Sequence, residues 1–271
     1  MGDFFVSVEG LWARLGRGDA PVVFDVRRAE TYAGSAHVLP TARWREHTLA
    51  DDWSRSLRPD ADVVVYCVHG YQVSQLAAAT LREKGIQAHF LKGGFEAWRS
   101  SGAPVITKAA LPGRDELAPS LWVTRVHPKI DRIACPWLIR RFIDSEAKFL
   151  FVEPSQVVPA AKEVAGIPYD VEGVEFTHEG PLCTFDTLMK RFGLQDPSLE
   201  GLSLIVRGAD TGRFDLAREA AGLLAVSLGI SALSGDDDAS ALERGFPVYD
   251  ALYAWLRTAR SEMHGWPPKQ S

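Results

Sequence analysis

The first third of the chain alternates short apolar runs with helical segments, and this alternation restricts the fold more than any other feature. Val22–Val26, Val63–Tyr66 and Ala88–Leu91 are β-branched or aromatic runs, typical of buried strands. Ser74–Lys84 and Phe95–Ser100 follow the second and third runs and have helical spacing. Strands separated by helices need crossover connections, so the pattern predicts an α/β domain with a mostly parallel sheet.

The rest of the chain predicts a second domain. Periodicity fades over residues 106–120, where prolines and a glycine interrupt a charged stretch. Strand-like runs follow at 121–126 and 149–152, a helix is predicted over 129–144, and helices dominate after Cys183. A helix-rich mixed α/β domain is therefore expected to follow the parallel-sheet domain. The predicted boundaries are a first domain at 4–105, a linker at 106–120, a second domain at 121–258 and a tail at 259–271.

Composition narrows the classes of function. Lys and Arg number 30 against 35 Asp and Glu, a net charge of -5, which does not support DNA binding by the chain as a whole. A basic leader and a long apolar run are both absent, so we expect a cytoplasmic protein with no membrane partner. Cys67, Cys135 and Cys183 are too few for a disulfide scaffold and suit a reducing compartment.

Cys67 is the first candidate catalytic residue. It lies between a predicted strand and a helix that begins near Val73, where successive backbone N–H groups can point at a sulfur or an anion. Such surroundings lower the pKa of a thiol, and the thiolate is the nucleophile. The alternative is a buried, inert cysteine at a strand end. The predicted anion-binding loop consists of Val68, His69, Gly70, Tyr71, Gln72 and Val73.

The second domain concentrates polar residues in three short segments. A histidine and a carboxylate a few residues apart, joined by another histidine elsewhere, are a common way to assemble a site for zinc or iron. The ligands predicted on this basis are His127, Glu175, His178 and Asp210.

Two other interpretations of these segments remain open. Guanidinium groups match tetrahedral oxyanions, and the residues that predict such a site are Arg125, Lys129, Arg132 and Arg207. Alternatively, the acidic and basic residues form ordinary ion pairs, and Glu175 and His178 are turn residues.

Several motifs in residues 4–105 resemble a single-domain rhodanese. They are Phe24-Asp25-Val26-Arg27, His37, Val63 to Gly70, Ser74, Leu91 to Trp98, and Gly102-Ala103-Pro104. The resemblance implies a sulfurtransferase without a cofactor, in which Cys67 takes sulfane sulfur from a small donor, holds it as a persulfide and passes it to a thiol acceptor. It also implies structural roles for Asp25 and Arg27 and a loop-ordering role for His37. Val73 stands where many rhodaneses carry an arginine, which leaves the donor open.

Motifs between Leu121 and Arg257 resemble the C-terminal domain of ChrB-type chromate resistance proteins. They are Trp122 to Arg125, His127-Pro128, Asp131 to Cys135, Trp137 to Ile139, Glu175 to His178, Cys183 to Asp186, Val206 to Thr211 and Tyr249 to Tyr253. The resemblance implies a role in chromate response, with chromate as a ligand. A different N-terminal domain commonly precedes this one, so a DNA-binding role does not carry over.

Together these features predict a sulfurtransferase linked to chromate resistance. The alternative is a non-enzymatic chromate or redox sensor that regulates a resistance operon, in which Cys135 and Cys183 are oxidised. The oligomeric state is not predicted.

Overall fold

The computed structural model describes residues 4–110 and 118–262, so parts of the predicted linker and tail lie outside the described residues. The strands are β1 (Phe5–Val6), β2 (Val22–Asp25), β3 (His37–Val38), β4 (Arg43–Trp44), β5 (Asp62–Tyr66), β6 (Gln87–Leu91), β7 (Ile106–Thr107), β8 (Leu121–Arg125), β9 (Lys148–Val152) and β10 (Ile167–Pro168). The α-helices are α1 (Val8–Arg14), α2 (Ala29–Ala33), α3 (Ala50–Ser54), α4 (Gln72–Glu83), α5 (Gly94–Ser100), α6 (Asp131–Leu138), α7 (Val157–Glu163), α8 (Thr184–Phe192), α9 (Pro197–Thr211), α10 (Ala220–Ser234) and α11 (Asp238–Ala254).

The N-terminal half is built on a parallel sheet in the order β1-β6-β5-β2-β4. Its central strand β5 buries Val63, Val64 and Val65 completely, because apolar side chains cover both faces of the sheet. The parallel α/β domain expected from the sequence is confirmed. Among the described residues, no helix has the length and apolar character needed to cross a membrane.

The C-terminal half has a small parallel sheet in the order β10-β8-β9, surrounded by helices α6 to α11. This confirms the helix-rich α/β arrangement. The helix predicted over 129–144 is shorter, since α6 gives way to a π-helical turn at Ile139–Ile143. Helix α9 begins earlier than the apolar spacing suggests, because Pro197 occupies its first turn and the Asp196 side chain accepts the N–H of Leu199.

The start of the predicted linker needs correction. Ile106 and Thr107 form β7, which pairs antiparallel with β3, and a 3-10 turn follows at Lys108–Ala110. Ile106 is buried in the core, so its side chain belongs to the packed body of the protein. The sequence does not reveal this strand, because two residues are too few to show the alternation of apolar and polar side chains.

Aromatic rings pack the two halves against each other. Trp12 of α1 lies 6.4 Å from Phe142 between ring centroids, and Phe142 lies 5.4 Å from Tyr253 of α11. Gly16, with φ of 77°, approaches these rings so closely that a Cβ would lie 2.6 Å from Tyr253. Only glycine combines this backbone angle with this contact. The buried side chains of the two halves form one continuous core.

A buried ion pair adds a polar contact across the same interface. Arg43 of β4 donates to the fully buried Asp144 at 2.6 Å and also pairs with Glu146. Asp144 further accepts the N–H and the hydroxyl of Ser120, each at 2.7 Å. Burial alone would raise the pKa of Asp144, but Arg43 and Ser120 outweigh it and hold that pKa below its ordinary value of 3.8.

We expect Arg43→Ala to lower the free energy of unfolding by about 3 kcal/mol, because it leaves the Asp144 carboxylate buried without its counter-ion. Urea unfolding followed by tryptophan fluorescence measures this loss. Arg58→Ala is the matched control: Arg58 pairs with Asp60 at the surface, where both side chains are exposed, so we expect a change below about 0.5 kcal/mol.

The loss should also depend on pH. The pKa of Asp144 is lower in the folded protein than in the unfolded chain, so its ionised form stabilises the fold above the unfolded pKa. This stabilisation is lost as pH falls through the folded-state pKa. The difference in free energy of unfolding between wild type and Arg43→Ala should therefore be largest near pH 7 and should shrink below about pH 3.8. An equal loss for the Arg43 and Arg58 variants at neutral pH would contradict the assignment.

Candidate active site and a carboxylate cluster

Cys67 follows the last residue of β5, and glycines fix the loop that begins there. Gly70 has φ of 70°, and a Cβ at this position would lie 2.5 Å from a backbone carbonyl of β6. Gly94 has φ of 60°, and its Cβ would lie 2.4 Å from the Cys67 carbonyl oxygen. That carbonyl accepts the N–H of Phe95 at 2.9 Å. The loop and the start of α5 are therefore locked to each other.

The Cys67 sulfur contacts one hydroxyl. Sγ lies 3.2 Å from Oγ of the fully buried Ser74, which also lies 3.3 Å from the carbonyl of Tyr71. A hydroxyl has one hydrogen. A Cys67 thiol can donate a hydrogen bond to Ser74, which leaves the Ser74 hydroxyl free to donate to the Tyr71 carbonyl. A Cys67 thiolate can only accept, so the Ser74 hydroxyl would then donate to the sulfur.

Cys67 lines a cavity of about 550 Å³ and is 6% exposed. The predicted loop supplies much of the wall, while Gly70 shapes the turn behind it. Gln72 and Val73 of the predicted loop belong to α4, whereas the sequence did not predict the contributions of Arg28, Thr31 and Gln75. Besides Cys67, the lining residues are Arg27, Arg28, Thr31, Val68, His69, Tyr71, Gln72, Val73 and Gln75.

A buried ionic network orders the strand ends beside this cavity. Arg27 and Asp25 are almost fully buried and pair at 2.5 Å. Tyr66 donates its hydroxyl to Asp25 at 2.8 Å, and Arg27 donates to the backbone carbonyl of His37 at 3.0 Å. Because Asp25 already holds the Arg27 guanidinium, we assign this network a structural role.

A second polar centre forms in the C-terminal half around Asp131, the first residue of α6. Its carboxylate is buried and accepts the N–H of Thr184 at 2.7 Å and of Phe185 at 3.1 Å. These N–H groups begin α8 and lack partners within that helix. Asp131 also accepts the Cys135 thiol at 3.4 Å. One carboxylate thus joins the starts of two helices.

Asp170 follows β10 and lies beside Asp131. Its Oδ1 accepts the Thr184 hydroxyl at 2.9 Å, and its Oδ2 accepts Arg125 at 2.8 Å, with Arg132 at 3.4 Å. Burial alone would raise its pKa, but His178 and Arg125 lower it overall. Asp170 is therefore a carboxylate at neutral pH.

His178 faces three carboxylates. Its Nε2 lies 3.5 Å from Asp131, 3.6 Å from Asp170 and 3.4 Å from Asp210. Asp131 and Asp170 raise the pKa of His178 to about 10. Burial, together with Asp131 and Asp170, raises the pKa of Asp210 to about 7. This concentration of negative charge favours a cation at the position of the imidazole edge.

The predicted ligand set needs correction at two positions. His178 belongs to the cluster of mutually close ligand atoms, and Asp210 contacts His178 at 3.4 Å without belonging to that cluster, whereas His127 and Glu175 are outside it. His127 is exposed, and its backbone N–H donates to Asp238. The Glu175 side chain is 60% exposed and faces Arg191. Closeness in sequence to His178 did not bring Glu175 to the imidazole, because the chain turns between them.

Three of the four predicted oxyanion residues already face carboxylates. Arg125 and Arg132 share Asp170, Arg207 faces Asp186 at 3.8 Å, and Lys129 is exposed. The three guanidinium groups already face carboxylates, which leaves less positive charge for an oxyanion.

Sequence reasoning missed Asp131 and Asp170 as members of this centre. The available signal was position: Asp131 begins α6 and Arg125 closes β8, whereas Asp170 lies two residues after β10, a strand too short to show in the sequence. The ends of neighbouring parallel strands meet at one edge of a sheet, where polar residues gather. Ser74 was part of a recognised motif without an assigned role.

Cys135 and Cys183 are fully buried. Burial and the nearby Asp131 raise the pKa of both thiols. A buried neutral thiol reacts slowly with oxidants and electrophiles. The structure therefore gives little support to the hypothesis that these two cysteines sense chromate by oxidation.

A parallel α/β sheet with a cysteine loop at a strand end, joined to a helix-rich domain, defines a rhodanese-like protein with an accessory domain. The comparisons agree: residues 7–101 match the rhodanese-like domain family, and residues 122–256 match the family described as ChrB, C-terminal domain. The chain belongs to the rhodanese-like family through its first half and carries a ChrB C-terminal domain in its second.

Curated relatives show the same division. Protein ChrB of Cupriavidus metallidurans is 37% identical over 164 residues, which span 59% of this chain and 49% of ChrB. Thiosulfate sulfurtransferase GlpE of Pseudomonas fluorescens is 40% identical over 86 residues, 31% of this chain and 76% of GlpE. The chain thus spans about half the length of ChrB. A rhodanese-related protein from Thermoplasma volcanium aligns with 38% of this chain and 98% of its own, at 21% identity and a TM-score of 0.34.

We expect iodoacetamide at neutral pH to modify Cys67 at least tenfold faster than Cys135 or Cys183, because Cys67 lines a cavity and is partly exposed, whereas the other two thiols are fully buried. Peptide mass spectrometry over a time course measures the three rates. Denatured protein is the control, in which all three thiols should react alike. Comparable rates for the three thiols in the folded protein would show that burial does not protect the second domain.

Proposed function

We propose that the protein is a sulfurtransferase that carries sulfane sulfur as a persulfide on Cys67. The observation that carries the proposal is the position of Cys67 at a strand end, in a cavity of about 550 Å³, with the Ser74 hydroxyl 3.2 Å from its sulfur. A thiolate in this position has a hydrogen-bond donor on one side and a ligand-sized space on the other.

The first half-reaction transfers one sulfur atom. The Cys67 thiolate attacks the outer sulfur of a donor such as thiosulfate, an S–S bond forms, and the S–S bond of the donor breaks. Sulfite leaves with the bonding electron pair, and Cys67 becomes a persulfide anion. The terminal sulfur keeps the negative charge, which we expect the backbone N–H groups of the loop and of the start of α4 to stabilise.

The second half-reaction regenerates the enzyme. A thiolate or cyanide attacks the terminal sulfur of the persulfide, the Cys67 S–S bond breaks, and the Cys67 thiolate departs with its electron pair. The acceptor becomes a persulfide or thiocyanate. Each half-reaction balances without an external oxidant, reductant or metal.

The cavity supports an anionic donor through Arg28. Arg27 is paired with Asp25, whereas Arg28 lines the cavity, is exposed, and makes no ion pair within residues 4–110 and 118–262. GlpE is named as a thiosulfate sulfurtransferase. We infer that Arg28 contacts the anionic end of the donor here, where Val73 offers no charge.

The ChrB C-terminal domain links this chemistry to chromate resistance. We propose that the sulfurtransferase acts in the cellular response to chromate. We also propose a cytoplasmic location, because three sparse cysteines suit a reducing compartment. The non-enzymatic sensor has less support, because the two thiols that would be oxidised are fully buried.

We expect Cys67→Ser to lower sulfur transfer from thiosulfate to cyanide by at least about 10³-fold, because a serine hydroxyl is not ionised at neutral pH. Colorimetric detection of thiocyanate measures the rate, and intact-protein mass spectrometry measures the added sulfur atom after exposure to the donor alone. Cys183→Ser is the matched control and should retain both signals. Turnover by Cys67→Ser at the wild-type rate would overturn the proposal.

We expect Ser74→Ala to reduce the same rate by about 10- to 100-fold, the effect of losing one hydrogen bond to a charged sulfur, worth about 1.5–3 kcal/mol. Ser54→Ala is the control: Ser54 is also buried and donates to a backbone carbonyl, but lies on α3 away from Cys67. If both variants keep full activity, the Ser74 hydroxyl does not assist the sulfur.

A further inference from the structure

The cluster around His178 has distances that hydrogen bonds do not explain. Nε2 lies 3.4 to 3.6 Å from one oxygen of each of three carboxylates. Hydrogen bonds between charged nitrogen and oxygen are shorter, about 2.7–2.9 Å. Ligands bound to one metal ion at about 2.0–2.2 Å lie about 3.0 to 3.5 Å from each other. The spacing is thus close to that of atoms sharing a metal ion.

The ligand atoms of Asp131, Asp170 and His178 all lie within 4.8 Å of one another. Thr184 sets the spacing of the two carboxylates: its N–H binds Oδ2 of Asp131 and its hydroxyl binds Oδ1 of Asp170. These are the same oxygens that face His178. Each accepts a single bond from Thr184, and a carboxylate oxygen has a further lone pair for a cation.

The opposite oxygens hold the two carboxylates in orientation. Oδ1 of Asp131 accepts the N–H of Phe185, and Oδ2 of Asp170 accepts Arg125. Such outer contacts fix ligand geometry in metal sites and are expected to strengthen metal binding.

A buried hydroxyl without a partner provides an independent observation. Tyr169 is fully buried, and its phenolic oxygen has no hydrogen-bond partner among the described residues. Tyr169 directly precedes Asp170 in the chain, and the charges of Asp170, Arg132 and Asp131 act on its hydroxyl. A buried hydroxyl without a hydrogen-bond partner is unfavourable. A water bound to a metal ion would satisfy it.

We propose that Asp131, Asp170 and His178 bind one divalent transition-metal cation, with Asp210 beside it as an acceptor for a metal-bound water. One imidazole nitrogen with carboxylate oxygens suits Zn²⁺, Fe²⁺ or Mn²⁺ better than Mg²⁺. Binding releases the proton of His178 Nε2 to solvent. The His178 side chain is 40% exposed, which gives the ion a route to the site. This site does not involve Cys67.

The test uses the full chain, stripped with a chelator and titrated with ZnCl₂ or MnCl₂ in a calorimeter, with MgCl₂ as the comparison. We expect one Zn²⁺ or Mn²⁺ per chain and at least tenfold weaker binding of Mg²⁺. His178→Ala should weaken transition-metal binding at least 100-fold. His127→Ala is the matched control, because it removes an exposed histidine outside the cluster and should leave affinity unchanged.

Two further measurements distinguish a loss of metal binding from a folding defect in the variants. The variants are accepted only if circular dichroism matches wild type, and Asp210→Asn serves as a milder change expected to weaken binding about tenfold. Co²⁺ added to the stripped protein should give d–d absorption bands that His178→Ala lacks. Failure of wild type to bind any of these ions at millimolar concentration, or equal binding by His178→Ala, overturns the site and leaves a structural ion network. Neither result bears on sulfur transfer by Cys67.

Discussion

The contact on which both halves of the molecule depend is the buried carboxylate of Asp144. It binds Arg43 from the first sheet and Ser120 from the start of the second domain. A buried charge is tolerated only when such partners surround it, so separating the halves would expose or orphan it. The aromatic packing of Trp12, Phe142 and Tyr253 then makes the two domains one body.

This union leaves two polar centres that work by different chemistry. Around Cys67, close backbone contacts of glycines shape the loop, and the Ser74 hydroxyl contacts the Cys67 sulfur. Around His178, carboxylates from the start of α6, from the chain after β10 and from the last turn of α9 converge on one imidazole. The first centre suits a nucleophile that carries charge on sulfur, and the second suits a cation.

Sequence reasoning predicted the first centre better than the second because its determinants are local. The strand, the cysteine and the turning glycine lie within eight residues, Val63 to Gly70, so their order alone indicates the geometry. Asp131, Asp170 and Asp210 are separated by about forty residues each and meet only through packing of α6, β10 and α9. Short strands such as β7 and β10 also escape detection, because two residues carry no periodicity.

The close packing of Gly94 against the Cys67 backbone has a consequence for how substrates enter. The loop has little room to shift toward α5, since even a Cβ added at Gly94 would lie 2.4 Å from the Cys67 carbonyl oxygen. Access to the sulfur is then controlled by exposed side chains at the rim, foremost Tyr71, which is 70% exposed. Exposed side chains change rotamer in picoseconds to nanoseconds. We therefore expect the rim side chains, and not a shift of the loop, to open and close the mouth of the cavity.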